Sequence, residues 1–439
     1  MGIDNNLFDK FTEEVCSQIK CNEVHQDIKE ELACHLEDIK EEYIAQGSSF
    51  QEAEKLAISH MGDSEKIGFD LNKVYKKAPE YKTLIICSLF VAFGLFTQFS
   101  IFKNAPEVMS YNSYIRMILF TVLGGILGIA TYFFDYRKLE KYSWHIYIVS
   151  TILLIYTVLN DKIVVGITIP VILVGYSNIT LIIVMLYGIS FSGILSKLYS
   201  TNYYIVKLLS ILALPSFLFL QTRQFAYFIV FIGACIVILF CSKIAKRYIF
   251  SLIGLGSILF LYLILNNIYR RHKLIDFISS ESARNNYYFG IYNEIIKLIS
   301  NARFLGNGIS EDILKNTPSI NNDLIYAYII HTFGWAVGIT LFVLVISLFI
   351  NLLKTSVKIK NIFGKRLFII ASSLLLIEFL ISFLVNLSLI PFVSASIPFL
   401  SYSGVSTVLN MFLVGLICSI YGRKNLSKSL VKTKLQVNN

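Results

Sequence analysis

The stretch LFIIASSLLLIEFLISFLVNL, residues 367–387, contains one charged side chain, Glu378, in an otherwise largely apolar run. An α-helix needs about 20 mostly apolar residues to cross the hydrocarbon core of a bilayer. Comparable runs recur from residue 84 to residue 421. A water-soluble core of this size would instead show regular alternation of apolar and polar residues. The recurrence predicts an all-α, polytopic membrane protein.

The composition of the chain favours the same class. Of its 439 residues, 55% are hydrophobic and 15% are charged, whereas soluble domains carry roughly 25% charged residues. Many of the basic residues behind the net charge of +10 lie in short loops between apolar runs, where anionic lipid headgroups attract them. Membrane lipids, and no nucleic acid, are therefore expected partners. The cysteines lack the spacing of metal ligands, so no metal site built on cysteine is expected.

About ten membrane-spanning helices are predicted from the lengths of the apolar runs. The stretch 163–178 is apolar but broken by glycine and proline, and it is predicted to be an interfacial or re-entrant segment. The predicted spans are 84–102, 114–134, 143–159, 179–195, 204–220, 225–242, 249–268, 324–353, 367–387 and 404–421.

The distribution of Lys and Arg predicts the orientation of these spans. The short loops on one side hold only Lys103, Lys162 and Arg223, whereas the loops on the other side and the C-terminal tail, residues 426–439, are richer in basic residues. Because basic loops stay in the cytoplasm, both termini are expected there, and the longest loop, residues 269–322, is expected outside. The expected location is the cytoplasmic membrane.

Residues 1–78 are rich in Glu, Asp and Lys and predict a small cytoplasmic helical domain. Ser49 and Glu52 have the spacing of a capping box at the start of a helix. Asp63 is placed to cap the helix that follows. Two runs here, Ile28–Asp38 and Gln51–Asp63, resemble the HAAS prefix domain that precedes some bacterial permeases.

A proline-containing segment near the C-terminus carries the most specific motif. Residues 391–406 read PFVSASIPFLSYSGVS. This segment resembles the signature P-x-x-G-x-x-x-P-F-[IL]-S-Y-G-G-S-S of the SEDS family of cell-wall proteins (FtsW, RodA and SpoVE). Both prolines and the Pro-Phe-Leu-Ser-Tyr core are in register. Ser403 and Val405 depart from the signature.

A second motif opens the eighth predicted span. Residues 321–327, followed by two glycines, resemble the family pattern H-T-D-F-I-F-A-V-I-G-E-E-L-G-x-x-G. Asp323 and the glycines agree with it, whereas His331 and Thr332 occupy the positions of the Glu pair. Helix number, orientation and the long outer loop agree as well. Residues 79–425 are therefore identified as a divergent SEDS-like transmembrane domain.

The resemblance implies an inverting glycosyltransferase that polymerises undecaprenyl-linked lipid II into glycan strands at the outer face of the membrane. It implies a role in elongation, division or sporulation, with a class B penicillin-binding transpeptidase as partner. Asp323 matches the catalytic acid of the family, and the acceptor hydroxyl must lose a proton to such a base. From the residues alone, an Asp just before an apolar helix is most often simply an N-cap, and the two roles are compatible. A divalent cation, Mg²⁺ or Mn²⁺, is a candidate cofactor.

Further candidates for substrate binding come from three places. A pyrophosphate leaving group needs cationic stabilisation, for which Arg is well suited, although such residues can also simply meet anionic lipid. Glu378 is expected to face the bundle interior, because a carboxylate within a membrane helix is costly. Ser401 and Tyr402 belong to the C-terminal motif. The basic candidates of the outer loop are Arg270, Arg271, Lys273, Arg284, Lys297 and Arg303.

Two other classes of function stay open at this point. A transporter or flippase of lipid-linked precursors suits the many helices, the buried Glu378 and the broken apolar segments, although no internal repeat is visible. A non-catalytic scaffold for cell-wall synthases is the other class, because Asn178 and Arg223 stand where the family carries acidic residues. A polymerisation assay separates these alternatives from the enzyme.

Overall fold

The computed structural model describes most of the chain. The described residues are 7–76, 78–161, 176–198, 203–222, 225–241, 246–266, 271, 287–317, 319–390 and 396–425. Within these ranges every regular element is a helix. The chain divides into two compact units. One contains the residues up to Pro79 with Lys358–Asn361 and the segment from Ile420, and the other contains Glu80–Val357 with Ile362–Ser419.

The first unit begins with four helices that pack around a small apolar core. Val15, Leu36 and Ala57 are fully buried in it. The segment near the C-terminus joins this unit through a hydrogen bond of 2.7 Å from Asn425 Nδ2 to the Val74 carbonyl. The helices are α1 (Leu7–Ser17), α2 (His25–Ala45), α3 (Phe50–Met61) and α4 (Ser64–Tyr75).

The predicted caps of this unit are confirmed. Glu52 Oε2 accepts hydrogen bonds from Ser49 Oγ at 2.7 Å and from Ser49 N at 3.3 Å, which closes the capping box of α3. Asp63 Oδ1 accepts from Glu65 N at 3.0 Å and caps α4. These contacts form within a few residues of one another, and the sequence motif alone is enough to specify them.

The second unit contains the membrane helices. Six helices in its described residues are long and apolar enough to cross a bilayer: Tyr81–Asn104, Tyr111–Phe133, Tyr204–Gln221, Trp335–Val357, Ile362–Asn386 and Gly404–Gly422. Three shorter apolar helices accompany them. The prediction of an all-α, polytopic membrane protein is confirmed. The elements are α5 (Tyr81–Asn104), α6 (Tyr111–Phe133), α7 (Lys138–Lys141), α8 (Ser143–Asp161), α9 (Tyr176–Leu198), α10 (Tyr204–Gln221), α11 (Phe225–Phe240), α12 (Lys246–Asn266), α13 (Tyr287–Ser300), α14 (Glu311–Asn316), α15 (Ile325–Phe333), α16 (Trp335–Val357), α17 (Ile362–Asn386) and α18 (Gly404–Gly422).

The eighth predicted span, 324–353, is wrong as a single helix. The structure breaks it at Gly334, whose φ of +92° ends α15 before α16 begins. A Cβ on Gly334 would collide with the backbone at Phe304 and Gly306. Only glycine adopts this conformation at little cost, so the break follows from one residue that the apolar pattern conceals.

The loop 303–308 occupies the break and satisfies its backbone. Asn307 N donates to the His331 carbonyl at 3.0 Å, and Gly308 N donates to the Thr332 carbonyl at 3.2 Å. In the other direction, the Arg303 carbonyl accepts from Trp335 N at 3.2 Å. Irregular backbone in a membrane protein persists where such partners exist.

The predicted re-entrant stretch 163–178 falls almost wholly outside the described residues. The structure describes only its last three residues, Tyr176–Asn178, and these already belong to α9. The prediction for the remainder stays a prediction.

Candidate active site

Asp323 precedes the N-terminus of α15 and is not its N-cap residue. The N-cap position is Leu324, which makes no side-chain capping bond. The cap comes instead from Asn386 at the end of α17. Its Oδ1 accepts from Tyr326 N at 3.2 Å and from Ala327 N at 3.1 Å. An N-cap side chain serves these same amides in most helices.

The two sequence motifs meet at the segment 321–323. The Asn321 carbonyl accepts a hydrogen bond from Tyr402 N at 2.8 Å. The Asn322 carbonyl accepts one from Ser401 Oγ, also at 2.8 Å. The Ser-Tyr pair of the C-terminal motif therefore binds the backbone immediately before Asp323.

Two further polar side chains complete this set of contacts. Gln98 of α5 is fully buried, and its Nε2 donates to the carbonyls of Asn321 at 2.8 Å and Leu400 at 3.1 Å. Asn386 Nδ2 donates to the Asp323 carbonyl at 2.7 Å. Three consecutive carbonyls are thus held by side chains or amides from three different parts of the chain. We call this arrangement the carbonyl clamp: residues 321–323 with their partners.

The C-terminal motif reaches the clamp through a tight turn. Ser401 Oγ accepts from Ile397 N at 2.8 Å while it donates to the Asn322 carbonyl. Phe399 has a φ of +67°, an uncommon conformation for a residue other than glycine. The Phe399 carbonyl approaches Gly94 of α5 so closely that a Cβ there would collide with it. Of the motif, Pro391 to Ala395 lie outside the described residues.

Glu378 lies in the interior of the helix bundle, as expected, and is only 6% exposed. Its Oε2 accepts from Asn410 Nδ2 at 3.1 Å, and the same Nδ2 lies 3.3 Å from Ser406 Oγ. The hydrogen bond of Glu378 therefore connects α17 to α18.

The basic candidates divide into two sets. Arg271, Lys297 and Arg303 are described and exposed. Lys297 Nζ pairs with Glu294 at 2.8 Å, in the same helix, α13. In the described part of the chain Lys297 therefore pairs within its own helix, and not with Asp323. Three further candidates, Arg270, Lys273 and Arg284, lie outside the described residues.

His331 explains one departure from the family pattern. It is buried on α15, and its Nδ1 lies 3.0 Å from the Leu298 carbonyl of α13. Asn307 Nδ2 lies 3.4 Å from the same ring. Where the family carries a Glu, this chain uses an imidazole to join α13, α15 and the loop 303–308.

Sequence reasoning missed Asn386 and Gln98, although a signal for both was present. Each is an uncharged polar residue inside an apolar run predicted to span the membrane. A side chain of this kind needs a hydrogen-bond partner on another element, because lipid offers none. The sequence could therefore mark these residues as partners of something, but not of Asp323.

The residues described around Asp323 do not by themselves form a complete ligand set for a divalent cation. Within the described parts of the chain, no three His, Cys, Asp or Glu side chains come together as a ligand set. Glu378, the other carboxyl group considered, makes its hydrogen bond to Asn410. The proposal of Mg²⁺ or Mn²⁺ stays a prediction, and no step below uses a metal.

Solved structures with the same fold include cell-wall proteins. A chain from a peptidoglycan synthase complex, described for its coordination of polymerization and crosslinking, matches with a TM-score of 0.62 at 16% identity, covering 80% of this chain and 99% of that one. The rod shape determining protein RodA of Thermus thermophilus matches with a TM-score of 0.53 at 15% identity and the same coverage. At such identities the likeness shows the fold.

Curated relatives match part of the chain. The probable peptidoglycan glycosyltransferase FtsW of Geobacter metallireducens is 24% identical over 56% of this chain and 66% of its own length. The protein of that name from Legionella pneumophila is 26% identical over 49% and 56%. Stage V sporulation protein E of Bacillus subtilis is 26% identical over 44% and 52%. The matches thus span from about half to just under two thirds of these relatives.

The family model settles the membership of the second unit. It leaves out the first 80 residues, so the resemblance of the N-terminal segment to a HAAS prefix stays a prediction. From residue 81 to residue 426 the chain matches the model for cell cycle proteins of the FtsW/RodA/SpoVE type. The chain belongs to the FtsW/RodA/SpoVE family.

Proposed function

We propose that this protein is a peptidoglycan glycosyltransferase that polymerises lipid II at the outer face of the cytoplasmic membrane. The observation that carries the proposal is the carbonyl clamp, in which the two family motifs meet at the backbone of Asp323. Family membership indicates the class of reaction. In the carbonyl clamp the C-terminal motif holds the backbone next to Asp323, so both motifs contribute to one site.

The proposed reaction is a single displacement. The acceptor hydroxyl attacks the anomeric carbon of the donor, a new glycosidic C–O bond forms, and the C–O bond to the lipid pyrophosphate breaks. Asp323 accepts the hydroxyl proton, and the pyrophosphate leaves with its electron pair. Attack from the face opposite the leaving group inverts the anomeric centre. A positioned base of this kind typically accelerates a reaction by roughly 10²–10⁴-fold.

The other candidates receive different roles in this proposal. Ser401 is 2% exposed and its hydroxyl is engaged with backbone, so it holds the site rather than the substrate. The exposed Arg271 and Arg303 are the described residues best suited to a pyrophosphate, because guanidinium groups bind phosphate oxygens in pairs. Similarity to a chain of a peptidoglycan synthase complex supports a transpeptidase partner.

The test is polymerisation of labelled lipid II by the purified full-length protein, alone and with a candidate transpeptidase. We expect glycan strands from the wild type and almost none from Asp323→Asn. Because Asn386 caps α15, the variant should fold and insert normally. Asp312→Asn, at an exposed acid of α14, is the matched control and should keep full activity.

Other outcomes would favour the other classes. Wild-type polymerisation by Asp323→Asn would remove Asp323 from the chemistry. Movement of lipid II across vesicle membranes without polymer would indicate a flippase. An absence of polymer in every arm, with stable binding of the transpeptidase, would indicate a scaffold.

A further inference from the structure

Asn386 uses its whole side chain in hydrogen bonds. It is fully buried, and Oδ1 accepts from the amides of Tyr326 and Ala327. Nδ2 donates to the Asp323 carbonyl at 2.7 Å and to the Ser382 carbonyl at 2.9 Å. Backbone N–H groups can only donate and backbone carbonyls can only accept. These four backbone partners therefore fix which atom of the Asn386 side chain is the oxygen and which is the nitrogen.

The oxygen and the nitrogen of the Asn386 side chain each satisfy backbone groups that would otherwise lack a hydrogen-bond partner. The first amides of α15 lack partners inside the helix and need an acceptor. The Asp323 carbonyl precedes the helix and needs a donor. A single primary amide meets both needs. Because Asn386 stands on α17, the helix cap is supplied from another element and the residue at position 323 is not required for it.

We propose that Asn386 is a positioning residue for Asp323. It fixes the backbone of Asp323 through the carbonyl and orients α15 through its first amides, so that the carboxylate is held where the acceptor hydroxyl arrives. This inference rests on the proposed function of Asp323 as the base. Displacing a reacting group by about 1 Å can cost on the order of 10²-fold in rate, so the role should be visible in kcat.

Two substitutions separate the two halves of the side chain. Asn386→Asp has the same shape and keeps an acceptor for Tyr326 and Ala327, but when ionised it offers no donor to the Asp323 carbonyl. Asn386→Ala removes both functions. We expect kcat for lipid II polymerisation to fall about 10–100-fold in each variant, with KM for lipid II changed little. Thermal stability should fall in both variants, because the ionised Asp would be buried beside the carbonyls of Asp323 and Ser382, and kcat is therefore compared per folded protein.

Asn351 provides the matched control. Its Nδ2 also bonds between helices, to Glu80 Oε2 at 2.9 Å and Thr83 Oγ1 at 3.2 Å. This contact lies at the opposite end of α5 from Gln98, about 27 Å along the helix. Asn351→Ala should lower stability to a similar degree as Asn386→Ala but leave kcat per folded protein unchanged.

A double-mutant cycle with Asp323→Asn tests whether Asn386 acts through Asp323. In that background Asn386→Ala should cause no further loss of the residual rate. Wild-type kcat in folded Asn386→Ala or Asn386→Asp, equal losses in Asn386→Ala and Asn351→Ala, or losses that multiply in the double variant would each overturn the inference. Full activity of Asp323→Asn alone would instead overturn the proposed function.

Discussion

Ser401 Oγ donates a hydrogen bond of 2.8 Å to the backbone carbonyl of Asn322, one residue before the proposed base. The same oxygen accepts from Ile397 N, so one hydroxyl connects the turn of the C-terminal motif to the start of α15. The Ser-Tyr pair of the family signature therefore contacts the backbone carbonyls of Asn321 and Asn322. The Ser401 hydroxyl can support the site in this way without contacting the sugar.

Ser401→Ala tests this relationship. It removes two hydrogen bonds, each of which typically contributes about 1 kcal/mol of stability, and leaves the Asn322 carbonyl without that donor and the Ile397 amide without that acceptor. We expect kcat to fall about tenfold with KM for lipid II unchanged, measured by polymer formation per folded protein. Ser373→Ala, which removes a bond within α17, is the control. A rise in KM alone would indicate that Ser401 binds substrate.

Gly334→Ala tests the helix break. Alanine at a φ of +92° is strained, and its Cβ would collide with the backbone of the loop 303–308. We expect a clear loss of thermal stability and of polymerisation, because α15 and the loop cannot both keep their places. Gly125→Ala in α6, where a Cβ would meet no neighbour within 4 Å, should melt at or slightly above the wild-type temperature. Equal melting temperatures for Gly334→Ala and the wild type would contradict the described backbone.

The capping box of α3 predicts a pH dependence. Hydrogen bonds from the Ser49 hydroxyl, and then from its amide, lower the pKa of Glu52 below its ordinary value of 4.5. A carboxyl group with a lowered folded pKa stabilises the fold above its unfolded pKa. That contribution disappears as the pH falls through the folded pKa.

We therefore expect residues 1–78, expressed alone, to be helical at neutral pH and to lose helix in acid. The Glu52→Gln fragment should start less stable and change less over the same range, as followed by circular dichroism. Glu54→Gln, which removes an acid of the same helix outside the capping box, is the matched control. Identical titrations of Glu52→Gln and the wild type would show that the box contributes nothing to stability.

The orientation of the chain is a separate prediction. Single cysteines at Ser282 and Ser427, in a background without other cysteines, should react differently with a membrane-impermeant reagent added to intact cells. Labelling is expected at Ser282 and not at Ser427, because the basic loops stay in the cytoplasm. Equal labelling of both positions from outside would contradict the proposed topology.

The membrane architecture was accessible from the sequence because it depends on local composition. Over the described residues, each of the ten predicted runs overlaps a helix, and the eighth is in two pieces. Length and apolarity decide such runs, but the break at Gly334 depends on a φ angle and on the loop 303–308 that fills it. The caps of α3 and α4 were predictable for a related reason, since Ser49, Glu52 and Asp63 find partners within three residues.

The site was accessible only in part. Asp323 was found through its motif, and so was Ser401, but nothing in the sequence linked one to the other. Asn386 bonds to residues about 60 positions away, and Gln98 to residues more than 200 positions away. Such contacts arise from the packing of helices, and the pattern of residues along one sequence does not specify which helices pack together.

The short length of α15, which ends at Gly334, has a mechanical consequence. This helix of nine residues, about 13 Å long, is tied at its first turn to Asn386 and at its last turn to the loop 303–308. Because the two ends of so short a helix are joined by continuous backbone hydrogen bonds, we expect a shift of that loop to move the first turn of α15 and the backbone of Asp323 with it.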